Sequence, residues 1–426
     1  MTLRIRVLPV CMAALIALIC GSSATAQDLA IRGGKVYTMA GPPIEKGIVL
    51  VRGGKIAAVG PAASVAIPAG ATVLDAAVVT PGLIDARSVV GLSGLLNQKQ
   101  DQDQLESSSA IQPELRAVDA YNPLDPLVDW LRSFGITTIH TGHAPGELIS
   151  GQTLIVKTTG KTVEEAMIVE SAAVAATLAG PARRESSKSP GTRGKMMAML
   201  RTELLKAQEY QRKRAAKPAS APAPDKEKDK EADKEKEPPE RNLRNEVLLR
   251  VLNRELPLMI FAQRVQDIDS ALRLQAEFKF ELWLEGAAEG YAVKEKIKAA
   301  GIPIIVHPSM QRAVSEYENL SFENAAILRH AGIPVAFQSG FESYVPKTRV
   351  VLFEAGIAAA NGLTFEETLA AITIDAAKLL KIDGRVGSLA EGKDADVALY
   401  DGDPFEYTTH CVGTVINGKV ASSEAR

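Results

Sequence analysis

Histidine and cysteine, the side chains that most often hold transition metals, are scarce in this chain: its 426 residues contain five His and three Cys. Cys11 and Cys20 fall within the first 26 residues, which leaves Cys411 alone in the remainder. A single thiol cannot close an internal disulfide, so the fold must be held by its apolar core. Neither sign of charge dominates; the formal net charge is −2. No basic stripe is present to neutralise a run of phosphates, which excludes the electrostatic footprint of a nucleic-acid binder. Phosphate-binding GxxxxGK[ST] and strand-linked GxGxxG patterns are missing, although Gly142, Gly146 and Gly151 share a loop. A GxSxG nucleophile elbow is missing too. The Ser107-Ser108-Ser109 run reads as a flexible loop rather than a nucleophile.

The N-terminus has the three parts of an export signal. Arg4 and Arg6 form a basic n-region, Val7 to Cys20 an apolar stretch too short to span a bilayer comfortably, and Ala24-Thr25-Ala26 a small-residue cleavage site. Residues 1–26 are therefore expected to be removed. The mature chain is expected to be secreted, in a bacterial periplasm, with no stable membrane insertion.

From Asp28 onward the sequence alternates short apolar runs with glycine pairs. Leu29 to Arg32, Lys35 to Met39, Gly47 to Arg52, Lys55 to Val59 and Thr72 to Ala76 read as strands, with Gly33-Gly34 and Gly53-Gly54 as hairpin turns. Asp396 to Tyr400, Val412 to Ile416 and Lys419 to Ala421 repeat the pattern at the other end, with a turn at Asn417-Gly418. The two ends are expected to pair into one composite β-sandwich from residues 28–79 and 386–426. Between them, apolar strands alternate with helical segments, the signature of parallel βα units. Residues 80–385 are long enough for a (β/α)₈ barrel of about 250 residues, although its third and fourth strands, within 148–175, have no clear pattern. One stretch cannot belong to a core. Residues 215–241 carry Pro, Ala and a Lys/Glu/Asp run without aliphatic or aromatic side chains, so a disordered surface insertion is expected there.

Thr80-Pro-Gly-Leu-Ile-Asp85, Gly135-Ile-Thr-Thr138 and the segment from Thr373 to Pro404 together resemble the amidohydrolase superfamily, and within it the imidazolonepropionase-like branch. The resemblance implies a TIM-like barrel with a composite sandwich and, at the ends of barrel strands one, five, six and eight, histidines and a carboxylate that hold a metal. Here the positions it points to are occupied differently. Arg87 and Val89 stand for the first His pair, Phe261 for the strand-five His, Glu285 near the strand-six His, and Ser339-Gly340 for the strand-eight Asp. A guanidinium is permanently charged and only donates, so it repels a cation rather than ligating it.

Two functions follow. The first is a catalytically eroded amidohydrolase-like protein without a cofactor, whose polar mouth of Arg87, Glu285, Gln338, Ser339 and Glu342 binds a ligand. Its partner could also be a homologous amidohydrolase subunit or a second copy of itself. Asp85 and Arg87, spaced i, i+2, would pair and fill the space a metal would take. The alternative is an active hydrolase of C–N bonds with a relocated zinc site built from His140, His143, His307 and Glu285. His330 and His410 read as surface residues.

Overall fold

The computed structural model describes residues 28–96, 98–184, 188–215, 240–341 and 350–426. The expected leader, the core of the 215–241 insertion and Glu342 lie outside the described residues. The chain opens with β1 (Leu29–Val36), β2 (Ile44–Arg52), β3 (Lys55–Pro61) and β4 (Thr72–Pro81). Gly53 and Gly54 both take positive φ and turn β2 into β3, as expected. Gly33 and Gly34 do not form a turn. They lie inside the single strand β1, where a side chain at Gly34 would come within 2.8 Å of the Ala77 carbonyl on β4. These glycines serve close strand approach rather than chain reversal.

The barrel begins at once with β5 (Leu83–Ser88). Helix α1 (Pro126–Arg132), N-capped by Asp125, leads to β6 (Ile136–Thr141), which pairs parallel to β5. Next come β7 (Ile149–Gln152), β8 (Leu154–Lys157), the short helix α2 (Val163–Ala166), β9 (Met167–Val169) and β10 (Val174–Thr177). Here lie the strands that the sequence left unresolved. β8 pairs antiparallel to β6, and β7 pairs antiparallel to β10. Residues 149–157 thus make one stave that runs against both neighbours, which is why this region lacks the βα alternation expected of a parallel barrel.

Helices α3 (Arg193–Ala215) and α4 (Leu243–Leu252) flank the undescribed stretch and pack on each other through side chains that include Leu200, Leu204 and Val247. Regular alternation then resumes with β11 (Leu258–Ala262), α5 (Val265–Phe278), β12 (Leu282–Gly286), α6 (Lys294–Ala300), β13 (Ile304–Val306), α7 (Asn324–His330), β14 (Val335–Phe337) and α8 (Val351–Ala360). Strands β10 to β14 are consecutively parallel. All their residues are buried, so they read as unbroken apolar runs. β14 returns to β5, where the Ser339 backbone N–H donates to Asp85 Oδ1 at 2.9 Å.

Helices α9 (Phe365–Ala371) and α10 (Ile374–Leu379) lead out to β15 (Val397–Tyr400), β16 (Cys411–Ile416) and β17 (Lys419–Ser422). β15 pairs with both β4 and β16, which joins the two ends of the chain in one seven-stranded sheet. The sheet folds over on itself. Ile56 on β3 exchanges backbone hydrogen bonds with Gly392 and Lys393, closing a core of Ile31, Val49, Val51, Val79, Val397 and Val415. The architecture is a (β/α)₈ TIM-like barrel with a composite β-sandwich.

Candidate functional site

In a barrel of this type the strand C-termini converge at one mouth. Arg87, near the end of β5, is buried, and its side chain crosses the interior to Glu285 on β12, past the two intervening staves β14 and β13. Its Nε lies 3.6 Å from Glu285 Oε1, an ion pair longer than a hydrogen bond. The rest of the guanidinium is committed to backbone: one terminal nitrogen donates to Ser88 O at 2.7 Å, the other to His143 O. Burial pushes the Glu285 carboxyl above the usual range, and Arg87 only partly offsets that. Asp85 is not the partner expected for the Arg87 side chain. Its Oδ1 accepts instead from the backbone N–H groups of Arg87 and Ser339, tying β5 to β14.

The expected zinc set is not assembled. Among the described residues no group of three or more His, Cys, Asp or Glu could hold a metal ion. The reason at His140 is that both ring nitrogens are spent: Nδ1 lies 2.8 Å from Ala86 O and Nε2 2.6 Å from Thr153 Oγ1. Since a carbonyl can only accept, Nδ1 carries the proton and Nε2 accepts from the threonine. Burial, then the charge of Arg87, lowers its pKa to about 3. The ring of His143 packs against Gly151, and the same two effects lower its pKa to about 4. A divalent cation drawn to Glu285 would meet the repulsion of the buried, permanently charged guanidinium that already pairs with it. His330 and His410 are exposed, on Glu367 and Asp401 respectively.

Above the ion pair opens a cavity of about 450 Å³. Glu285, Gln338 and His307 contribute to its lining, whereas Arg87 and Ser339, expected there, are buried behind it. Gln338 Nε2 donates to Ile305 O at 3.1 Å, while its Oε1 is buried without a hydrogen-bond partner. Aromatic walls come from Phe261, Tyr317 and Phe341. At the rim Arg184 is clamped to Glu147 at 2.8 Å and to Ser107 O at 3.1 Å, so the serine run is an edge of the mouth. Sequence reasoning missed Glu147, Arg183 and Arg184. Glu147 and Arg184 meet only because β7 and β10 are brought together, and no local pattern announces such a pair.

A barrel with a composite sandwich and a mouth built at its strand ends defines the architecture of the amidohydrolases, and the comparisons agree. The Amidohydrolase family model matches residues 264–421. An amidohydrolase, TasK, of Hapsidospora irregularis is 26% identical over 358 residues, covering 80% of this chain and 36% of that protein. The imidazolonepropionase of Shewanella oneidensis is 35% identical over 102 residues, or 22% of this chain and 25% of the enzyme. The chain thus spans about a third or less of the length of the curated relatives it matches. Among solved structures, an amidohydrolase from Thermotoga maritima superposes with a TM-score of 0.81 at 25% identity, covering 93% of this chain and 100% of that one. A zinc-bound adenosine deaminase from Xanthomonas campestris shares the fold, with a TM-score of 0.54 at 15% identity and 92% of each chain covered. Over residues 264–421 the sequence matches the amidohydrolase family model, and the whole fold is similar to that of the amidohydrolase superfamily.

Proposed function

We propose that this chain is a binding member of the superfamily that has lost hydrolysis: an exported, periplasmic barrel that works without a metal cofactor and takes a small ligand at its mouth. The observation that supports this reading is the buried Arg87–Glu285 pair, which fills the interior between β5 and β12 with a cation that cannot be displaced by changing pH. A homologous amidohydrolase subunit or a second copy of the chain is the partner this reading favours, and light scattering of the purified protein reports the second directly.

The competing reading is an active hydrolase of C–N bonds. It is favoured by the hydrolase names of the relatives and by His307 and Glu285 sharing one cavity lining. Metal content of the purified mature protein after mild chelation separates the two. Less than a few hundredths of a zinc per chain is expected. Near-stoichiometric zinc that disappears in His307→Ala would establish the hydrolase instead. Installing Arg87→His together with Val89→His is expected to give no hydrolysis of amide substrates, because Phe261 and Ser339 still occupy the other strand ends.

A further inference from the structure

The mouth cavity has an unequal distribution of hydrogen-bonding groups. Its floor offers acceptors. Gln338 Oε1 is buried and unpartnered, and the amide cannot be turned over, since Oε1 would then face the Ile305 carbonyl, acceptor against acceptor. A buried acceptor left unsatisfied is destabilising, so a group that donates to it is favoured on arrival. Beside it lies Glu285, whose one charged partner reaches it from behind at 3.6 Å with a single nitrogen and gives its two terminal nitrogens to carbonyls. The Gln338 side chain also hydrogen-bonds this carboxylate, whose remaining lone pairs keep acceptor capacity toward the cavity. The cations in the lining stand at the rim: Arg184 is committed to Glu147, and Arg183 donates to Gly191 O at 3.1 Å. Between floor and rim the walls include Phe261, Tyr317 and Phe341, whose ring faces attract a cation.

We propose that the cavity binds a small primary amine, its ammonium seated on Gln338 Oε1 and Glu285 and its apolar body held between the aromatic walls. An ammonium has three donors and can meet both floor acceptors at once. A carboxylate or phosphate head would bring acceptors to acceptors. The volume of about 450 Å³ suits a ligand the size of a single aromatic ring with a short chain. This ligand class rests on the binding-barrel reading above.

The test uses three probes of one shape on the unmodified mature chain: 2-phenylethylamine, 2-phenylethanol and phenylacetate, titrated calorimetrically at neutral pH. The amine is expected to bind at least about tenfold more tightly than either analogue. In Gln338→Leu, which keeps the side-chain volume close, its affinity is expected to fall about tenfold or more while phenylethanol is little affected. Phenylacetate or phenylethanol binding as tightly as the amine, or no binding of any probe at millimolar concentration, would overturn the proposal. Because the probe series needs no variant, it holds even if Gln338→Leu fails to fold. Zinc is measured on the same samples. Stoichiometric zinc sinks the binding-barrel reading, whereas zinc-free protein that prefers phenylacetate sinks only the ligand class.

Discussion

Arg87 is expected to be a structural residue first. Removing it leaves Glu285 buried without its ion pair and frees two buried carbonyls, Ser88 O and His143 O. Arg87→Ala should therefore destabilise the fold by about 3–5 kcal/mol, read as a lower urea midpoint. The double change Arg87→Met with Glu285→Leu removes both charges and should recover most of that loss; a double variant as unstable as Arg87→Ala would mean the pair is not what costs the single variant. The buried histidines add a pH dependence. His140 and His143 titrate near 3 and 4 in the folded chain and near 6.5 when unfolded. Below that unfolded value the unfolded chain binds protons that the folded chain refuses. The stability these residues allow is thus complete above about pH 6.5 and drains as pH falls, at about 1.4 kcal/mol per pH unit for each histidine. His143→Leu should make the slope between pH 6 and 4.5 shallower by about that amount in urea unfolding, and an unchanged slope would count against a buried neutral His143.

At the scale of elements, two short pieces frame the mouth. Gly340, just past β14, has φ +69, and a Cβ there would lie 2.2 Å from His307 Nε2. Gly340→Ala should displace the His307 ring and cost about 1–3 kcal/mol through combined backbone and steric strain. Binding at the cavity should weaken with it, measured by the same amine titration. Helix α9 starts with a full capping box, in which Thr364 Oγ1 accepts from the Glu367 N–H and Glu367 accepts from the Thr364 N–H. Thr364→Ala should lower stability by about 1 kcal/mol without changing ligand affinity, since α9 lies outside the mouth. The parallel strands β11 to β14 were legible because each is an apolar run followed by a helical pattern. The stave at 149–157 was not, because a strand whose neighbours both run the other way follows no βα rhythm.

Across the whole molecule, one buried amine ties the barrel to the composite sheet. Lys157, at the end of β8, donates to Asp394 Oδ2 at 2.8 Å and Asp396 Oδ1 at 3.0 Å, and also to Asn417. Burial works against ionisation of Asp394, yet Lys157, Lys55 and Arg385 outweigh it and hold its pKa at about 2. Lys157→Met should cost about 3–5 kcal/mol, because it strands the buried Asp396 carboxylate, whereas Asp394 keeps Lys55 and Arg385. If the knot also couples the two parts, the variant should unfold in two steps by calorimetry where the wild type unfolds in one.

The sequence by itself determined the superfamily, the order of its parts and the residues standing at the strand ends, because apolar periodicity, glycine turns and the Pro-Gly-Leu-Ile-Asp phrase are local properties of the chain. It also pointed to Arg87, Glu285 and Gln338, whose positions follow from where strands end. Only the tertiary structure decided which of these groups meet. Arg87 pairs with Glu285 and not with Asp85, two residues away, since side chains that share a face of one strand meet less readily than two that converge from opposite walls of a barrel. His140 turns to Thr153 and the Ala86 carbonyl, and the rim pair of Glu147 and Arg184 closes across a sheet. Each of these contacts joins residues far apart in the chain, and no local pattern encodes the direction in which a side chain turns once the barrel has formed.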